Sequence, residues 1–350
     1  PCRVLLGGDP VNTTGRGGLV RRLVPVVLTV LALGGCGVSD ALVGVHPAPV
    51  ESPQGAPLDA DAAAAIATRV LDEAAAAIAD KGKTAAAARA AAMGGDALVL
   101  AGTGKASADA PADPLSTARE PQVLAISAGR EWPRAILAAR LDSDGARQML
   151  HVLVSASAVE PFKLVASTPM LPGAQLPAAG DFAAGAPLVS AATTLKVPAG
   201  SGLTLAPVQA AQAYAAALAV PAPKANPAVS VKDSFATTLA TTAAAQNKAL
   251  AKLATLTQKH VAATKNLVGF RLADGSAVVF TLLTRTDTIK VGAGAKEIVL
   301  PAEYKAITGK AKATKAVTLT SLEPVILLVP SAGAVTAIGA EEILVSGKAS

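Results

Sequence analysis

Three histidines are the side chains best suited to acid–base chemistry or metal binding. His46 lies in a Pro-rich stretch, His151 in the apolar run "QMLHVLV" and His260 in "TQKHVAA". None has a second histidine or a carboxylate at the spacing of a metal-ligand motif. Each is therefore expected to be structural or solvated, with a pairing through space left open. We expect no metal site and no cofactor.

Two short segments are similar to catalytic motifs but depart from them at essential positions. "AISAG" around Ser127 is similar to a nucleophile elbow, but Ala125 replaces its first glycine and a strand follows instead of a helix. The "GTGKAS" segment, residues 102–107, is similar to a phosphate loop. Val99 stands at its first glycine position and Ala106 replaces the magnesium-binding hydroxyl. The sequence therefore predicts no catalytic residue.

A positively charged and then apolar segment precedes one of the two cysteines. Arg21 and Arg22 are followed by eleven mostly apolar residues, 23–33. A membrane-spanning helix needs about 20 residues, so this run is too short to span and is typical of a secretory signal.

The run ends in Leu33-Gly34-Gly35-Cys36, which resembles the lipobox of bacterial lipoproteins. The resemblance implies that the signal peptidase recognises Leu33, Gly34 and Gly35. It implies further that Cys36 receives a diacylglyceryl group and that the new amino terminus is acylated, with palmitate as a typical chain. Two or more acyl chains hold a protein stably on a membrane. The expected location is the outer face of the cell membrane, and the alternative is a buried strand with a chance cysteine.

The lipobox sets the expected boundaries of the mature chain. Residues 1–19 are interpreted as an upstream extension, with initiation at Val20, so Cys2 is absent from the mature protein. Residues 20–35 form the signal peptide. Residues 36–57 are rich in Pro, Gly and Ser without a period, which is typical of a flexible tether. Lipidation of the remaining cysteine then excludes disulfides.

Charge and composition divide the rest of the chain. Residues 36–190 hold 11 Lys or Arg against 16 Asp or Glu, whereas residues 191–350 hold 16 against 8. This asymmetry favours two units. With one Trp, two Tyr and five Phe in the whole chain, basic residues lack the stacking aromatics of nucleic-acid binders. We therefore expect no nucleic-acid partner.

The order of helical and alternating patterns occurs twice. In each unit helices precede strands, with Asp59 or Asp61 capping the first helix, and "DSDG" at 142–145 and "DG" at 274–275 marking hairpins. A second helix is expected from about Thr84 to Met93, ending at Gly94-Gly95, and a longer one from Lys232 to Leu253, starting near Asp233. The predicted fold class is α+β. It comprises two tandem domains, 58–185 and 198–350, each with N-terminal helices packed on an antiparallel curved sheet.

This element order resembles the nuclear-transport-factor-2-like fold, in which helices pack in the concavity of a curved sheet. The chain as a whole resembles bacterial lipoproteins of the actinobacterial type. That resemblance rests on the lipobox, the Pro-rich tether and the Ala-rich body, and it implies no particular activity.

A few exposed-type side chains are candidates for ligand or surface contact. Trp132 lies at the start of a strand among Arg130, Glu131 and Arg134, where it could line a pocket mouth, the alternative being a core anchor. "YKAITGKAKATK" places four lysines, which could face anionic headgroups or wall polymer, the alternative being a solvated face. These lysines are Lys305, Lys310, Lys312 and Lys315.

The sequence thus predicts a lipid-anchored extracytoplasmic envelope protein that acts as a binding or interaction module. Its expected partners are the membrane, through the lipid anchor, and an envelope protein or wall polymer. The alternative is a hydrolase or isomerase with a cone-type pocket. Such an enzyme would bring two ionisable residues together in a deep pocket.

Overall fold

The computed structural model describes residues 55–104, 115, 119–142, 145–191 and 202–350. All of them lie in one compact unit, residues 52–350. The predicted extension, the signal peptide, Leu33, Gly34, Gly35 and Cys36 lie outside the described residues, as does most of the predicted tether.

The first half of this unit consists of helices followed by a meander. Sequential neighbours pair antiparallel in the order β1-β2-β3-β4. The elements are α1 (Ala60–Ala79), α2 (Ala85–Ala92), α3 (Gly95–Gly102), β1 (Gln122–Ile126), β2 (Arg134–Leu141), β3 (Gln148–Ser155) and β4 (Lys163–Pro169).

The second half has longer strands. Its sheet has the strand order β11-β10-β7-β6-β5. β12 also pairs with β10, along the part of β10 that precedes its pairing with β11. A small β8-β9 pair flanks it. The elements are β5 (Leu188–Ser190), α4 (Pro207–Ala217), α5 (Ser234–Leu250), β6 (Ala254–Arg271), β7 (Ala277–Val291), β8 (Ile298–Val299), α6 (Ala302–Thr308), β9 (Lys312–Ala313), β10 (Ala316–Val329), β11 (Thr336–Ala340) and β12 (Ile343–Ala349).

The two sheets pack face to face, and each carries its helices on the opposite face. Leu137, Leu150 and Val152 of the first sheet share one buried cluster with Phe270 and Phe280 of the second. A separate cluster joins α1 to α3 with the outer face of the first sheet. Two further clusters lie between the second sheet and α4, α5 and α6. The described residues therefore form four layers, in the order helices, sheet, sheet, helices.

Backbone contacts at the end of β4 also join the two sheets. Met170 forms an antiparallel bridge with Gly339, and the Leu171 amide donates to the Ile338 carbonyl at 2.8 Å. A Cβ at position 339 would lie 2.8 Å from the Pro169 carbonyl oxygen. Glycine is needed there because the two backbone segments approach too closely for a side chain at this position.

Several local predictions are confirmed. The Asp59 carboxylate accepts from the Ala62 amide at 2.7 Å and caps α1, and Asp233 caps α5 in the same way. Both predicted hairpins occur, between β2 and β3 and between β6 and β7. The antiparallel α+β class is confirmed as well.

Other elements differ from the sequence prediction. The helix predicted from about Thr84 to Met93 ends before Gly94-Gly95 as expected, but the sequence did not predict a further helix, α3, which begins at Gly95, where φ is +50°. The helix expected to reach Leu253 ends at Leu250, and β6 begins at Ala254. Buried and exposed residues alternate along β6 from Ala254 to Val261. Tertiary pairing with β7 therefore outweighs the helical preference of this Ala- and Lys-rich segment.

The shared inter-sheet cluster bears on the predicted division at 58–185 and 198–350. Neither sheet buries its inner face without the other, and β5, in the predicted connector, pairs with β6. The packing therefore favours one cooperative unit. Separate folding of the two halves stays a prediction.

The inter-sheet cluster predicts cooperative unfolding. Phe280 is 1% exposed at the centre of the contact. Phe280→Ala should lower the free energy of unfolding by about 3–5 kcal/mol, because a large cavity forms. Trp132, the single tryptophan, reports on the first half. Its fluorescence and far-UV circular dichroism should therefore give one coincident denaturant transition.

Phe182→Ala is the matched control, since Phe182 is 39% exposed. Its effect should be much smaller. Two separate transitions, or a Trp132 signal that Phe280→Ala leaves unchanged, would show that the two sheets unfold independently.

Candidate functional site

A cluster of buried charged side chains lies on the helix-covered face of the second sheet. Three neighbouring strands supply most of it, and the β11–β12 turn supplies one carboxylate. In the register, His260 of β6 and Ser321 of β10 flank Arg285 of β7. We call this set the charged cluster: Gln258, His260, Arg285, Asp287, Ser321, Glu323 and Glu342.

Arg285 is the centre of the charged cluster. Its Nη1 donates to Glu342 Oε2 at 2.8 Å and to Glu323 Oε1 at 3.2 Å, while Nη2 donates to the other Glu342 oxygen. Its Nε lies 3.1 Å from Asp287 Oδ1. One guanidinium therefore contacts three carboxylates, two of them buried.

His260 and Glu323 form a second pair within the cluster. His260 Nε2 lies 3.4 Å from Glu323 Oε2, and both side chains are 0% exposed. Several buried atoms here have no hydrogen bond of good geometry among the described residues. They are both ring nitrogens of His260, Gln258 Oε1, Asp287 Oδ1, Glu323 Oε2 and Arg285 Nε.

Burial and charge shift the pKa values of the cluster. Desolvation raises the pKa of Asp287, and the nearby Arg285 only partly opposes that rise. Burial alone would lower the pKa of Arg285, but hydrogen bonding and charge from Glu342, with the other carboxylates, raise it instead. Arg285 therefore keeps its charge, while Asp287 binds a proton more readily than an exposed aspartate.

The sequence predicts that His260 is structural or solvated and leaves a pairing through space open, without naming a partner. The alternation of β6 and of β10 could have placed each residue on a buried face. Only the register of the strands on either side of β7 brings the two together.

A cavity of about 570 Å³ lies elsewhere, between the inner face of the first sheet and residues 170–182. Leu124 and Leu150 form part of its wall, and Gln122, Gln148 and Gln175 supply polar atoms. No charged side chain lines it. The charged cluster and this cavity are thus separate features.

The first half contains its own buried histidine. His151 is 0% exposed on β3, and its Nδ1 lies 3.1 Å from Ser167 Oγ. Burial, with a smaller contribution from Arg140, lowers the pKa of His151 to about 3. The ring is therefore neutral at physiological pH, and its surroundings are typical of a structural side chain.

Ser127 and Tyr214 both have structural partners. Ser127 lies just beyond β1, where its Oγ accepts from the Ala135 amide at 3.0 Å. Tyr214 is 0% exposed, and its hydroxyl donates to Asp233 at 3.0 Å. Burial raises the pKa of Tyr214.

Trp132 and the four lysines that the sequence predicted as contact residues do not form one surface. Trp132 is half-buried in the connection between β1 and β2, two residues before β2 begins at Arg134, so its predicted position at the start of a strand is wrong. The Arg134 guanidinium carbon lies 4.3 Å from its ring centroid. Lys305, Lys310, Lys312 and Lys315 are all exposed, at one end of the second sheet.

That end gathers more lysines than the sequence analysis selected. β6 and β10 begin there and β7 and β12 end there, because the strands alternate in direction. Exposed Leu253 and Val299 lie among the lysines, and two glutamates accompany them, Glu297 and Glu303. We call this surface the basic end: Lys252, Lys290, Lys296, Lys305, Lys310, Lys312, Lys315 and Lys348.

Two searches of the described residues gave negative results. None of the helices described is long and apolar enough to cross a membrane. Within the same ranges, no group of three His, Cys, Asp or Glu side chains is arranged to hold a metal ion. Comparisons with protein-family models, curated proteins and solved structures found no match.

The pKa of His151 predicts how stability depends on pH. Between about 3 and 6.5 the unfolded chain protonates this ring and the folded chain does not. Stability should therefore fall as the pH drops through that window, with a slope of up to about 1.4 kcal/mol per unit from this residue. His151→Gln, which cannot titrate, should flatten the curve of unfolding free energy against pH.

Ser167→Ala is the control, because it removes the hydrogen-bond partner and keeps the imidazole. It should leave the slope in place. Equal slopes for the wild type and His151→Gln would show that this histidine is not held neutral by burial.

Proposed function

We propose that the chain is a lipid-anchored protein on the outer face of the cell membrane that works as a binding module. Cys36 is its anchor, and the basic end is the surface that contacts anionic headgroups or wall polymer. The observation that carries the proposal is the gathering of eight exposed lysines, against two glutamates, at one end of the second sheet.

The chemistry of the basic end suits an anionic surface better than a small acidic ligand. Its lysines lie on strand ends, on α6 and on loops, so they present a broad surface. Leu253 is 50% exposed and Val299 74% exposed, which adds apolar contact of the kind found at membrane interfaces. Each lysine near an anionic bilayer contributes about 1 kcal/mol.

The hydrolase or isomerase alternative has one observation in its favour, the buried pair of His260 and Glu323. An enzyme also needs room for a substrate beside its acid and base. The 570 Å³ cavity is lined by other residues, none of them charged. We therefore favour binding over catalysis.

The nuclear-transport-factor-2-like resemblance remains part of the proposal. In the second half, helices cover one face of a long-stranded antiparallel sheet, which supports this comparison at the level of layers. The helix-over-sheet arrangement of the first half supports it in the same way.

Binding to anionic vesicles tests the basic end. The protein for this experiment is the full chain with Cys36→Ala, so that lipidation cannot contribute. Lys310→Gln, Lys312→Gln and Lys315→Gln together should weaken cosedimentation with phosphatidylglycerol vesicles by roughly tenfold or more, because three charges leave the surface. The remaining binding should fall further with added salt.

The matched control removes three exposed lysines elsewhere, with Lys83→Gln, Lys224→Gln and Lys232→Gln. Its binding should stay close to that of the parent chain. Equal losses in both triple variants would show a general effect of net charge, and an unchanged basic-end variant would exclude this surface.

Processing in cells tests the anchor. Cys36→Ala should leave the precursor unlipidated and uncleaved, because both modifications require the thiol in the lipobox resemblance. Metabolic labelling with an acyl-chain analogue and the migration of the protein on gels measure these two steps. Normal processing of the variant would contradict the lipobox assignment.

A further inference from the structure

We infer that the partly exposed face of the second sheet, next to the basic end, is a binding site for a polyol phosphate polymer. Such a polymer consists of hydroxylated units joined by phosphodiesters. The inference rests on the proposed envelope location and names a ligand for the same end of the molecule.

The face is built from threonines in register. Thr257 of β6, Thr288 of β7 and Thr318 of β10 lie side by side across three strands. Thr286 lies directly opposite Thr320 in the same way, with Lys259 on its other side. We call this surface the threonine face: Thr255, Thr257, Thr284, Thr286, Thr288, Thr318 and Thr320.

The threonine face lies beyond the contact between the two sheets, because their strands are of unequal length. β7 has 15 residues and β10 has 14, whereas β2 and β3 have eight each. At about 3.4 Å per residue, β7 is more than 20 Å longer than β2. The first sheet packs on Val278 and Phe280, and the threonines that follow along β7 remain partly exposed.

The threonines form a regular array, in which the Thr257 hydroxyl also donates to the Thr288 carbonyl at 3.4 Å. Threonines on adjacent strands are about 4.8 Å apart and those two residues apart along a strand about 6.7 Å apart. Each hydroxyl can donate and accept. A regular two-dimensional array of this kind can bind successive hydroxyl groups of a polymer.

The charge around the array favours phosphate. Lys259 and Lys290 extend from the same face, and Lys348 lies opposite Thr318 on β12. The residues of β6, β7 and β10 that share this face from Thr255 to Val261, from Thr284 to Lys290 and from Ala316 to Leu322 include no carboxylate. Every carboxylate of β7 and β10 lies on the opposite face, in the charged cluster.

The binding of three polymers distinguishes contacts to hydroxyl groups from contacts to phosphate charge. Isothermal titration of the full chain carrying Cys36→Ala should detect binding of poly(glycerol phosphate). Dextran, which has hydroxyls without charge, and inorganic polyphosphate, which has charge without hydroxyls, should each bind roughly tenfold more weakly or worse, because each lacks one set of contacts.

Substitutions test the hydroxyls themselves. Thr286→Val, Thr288→Val and Thr318→Val together keep branched side chains of similar size that suit a strand. The triple variant should lose roughly tenfold or more in affinity for poly(glycerol phosphate), since three hydroxyls are removed. The corresponding Thr→Ser triple variant keeps the hydroxyls and should bind close to normally. Thr336→Val, on β11, should have no effect.

Vesicle binding by the same variants separates this inference from the proposed function. The Thr→Val triple variant should bind phosphatidylglycerol vesicles normally, because its lysines are intact. Normal polymer binding by this variant, or equal binding of polyphosphate, would overturn the threonine face while leaving the basic end supported. The triple variant of Lys310, Lys312 and Lys315 gives a further outcome. If this variant loses both polymer and vesicle binding while the Thr→Val variant keeps both, the threonine face would also be overturned.

Discussion

The contact between two antiparallel sheets determines most of the architecture of the described residues. Leu137, Leu150, Phe270 and Phe280 exclude water between the sheets, and this burial is the principal favourable free energy available to either inner face. Each sheet must then place its helices on the outer face. Because β2 and β3 are about half as long as β7, the contact covers only part of the second sheet. The exposed remainder is polar on one face and helix-covered on the other.

The helix-covered face of the second sheet buries charged side chains, and their desolvation has a free-energy cost that the apolar contact between the sheets does not have. Burying Arg285, Asp287 and Glu323 removes their hydration, and mutual contacts recover only part of it. Desolvation raises the pKa of Asp287 for the same reason. The charged cluster lies between two apolar clusters, so it separates the two hydrophobic regions that pack under α4, α5 and α6. Glu342, whose side chain is 38% exposed, connects it to solvent. A shift of one residue in the strand register would separate every pair of the charged cluster, so the cluster opposes such a shift.

Much of the fold was predictable because local physics decided it. Asp59 and Asp233 cap helices through contacts three residues away, and Asp274-Gly275 forms a two-strand turn, so neighbouring residues suffice to recognise them. The charged cluster was not predictable in the same way, because His260 and Glu323 are 63 positions apart and meet only through the pairing of both strands with β7. The start of β6 was missed because its Ala, Lys and Thr content is compatible with a helix. The shared core was missed because charge asymmetry distinguishes two halves of a chain and carries no information on whether they pack together.

Lysines and threonines at the end of the second sheet follow from the same geometry. Strands that extend beyond their packing partner must present polar side chains there, and threonine combines a hydroxyl with high strand preference. That requirement explains threonine at alternate positions of β6, β7 and β10, but it does not require lysine rather than glutamate around them. Glutamates would satisfy solubility equally well, yet the charged residues on this face of the three strands are lysines. The sign of the charge is therefore the feature that a stability argument leaves unexplained and that the proposed anionic partner would account for.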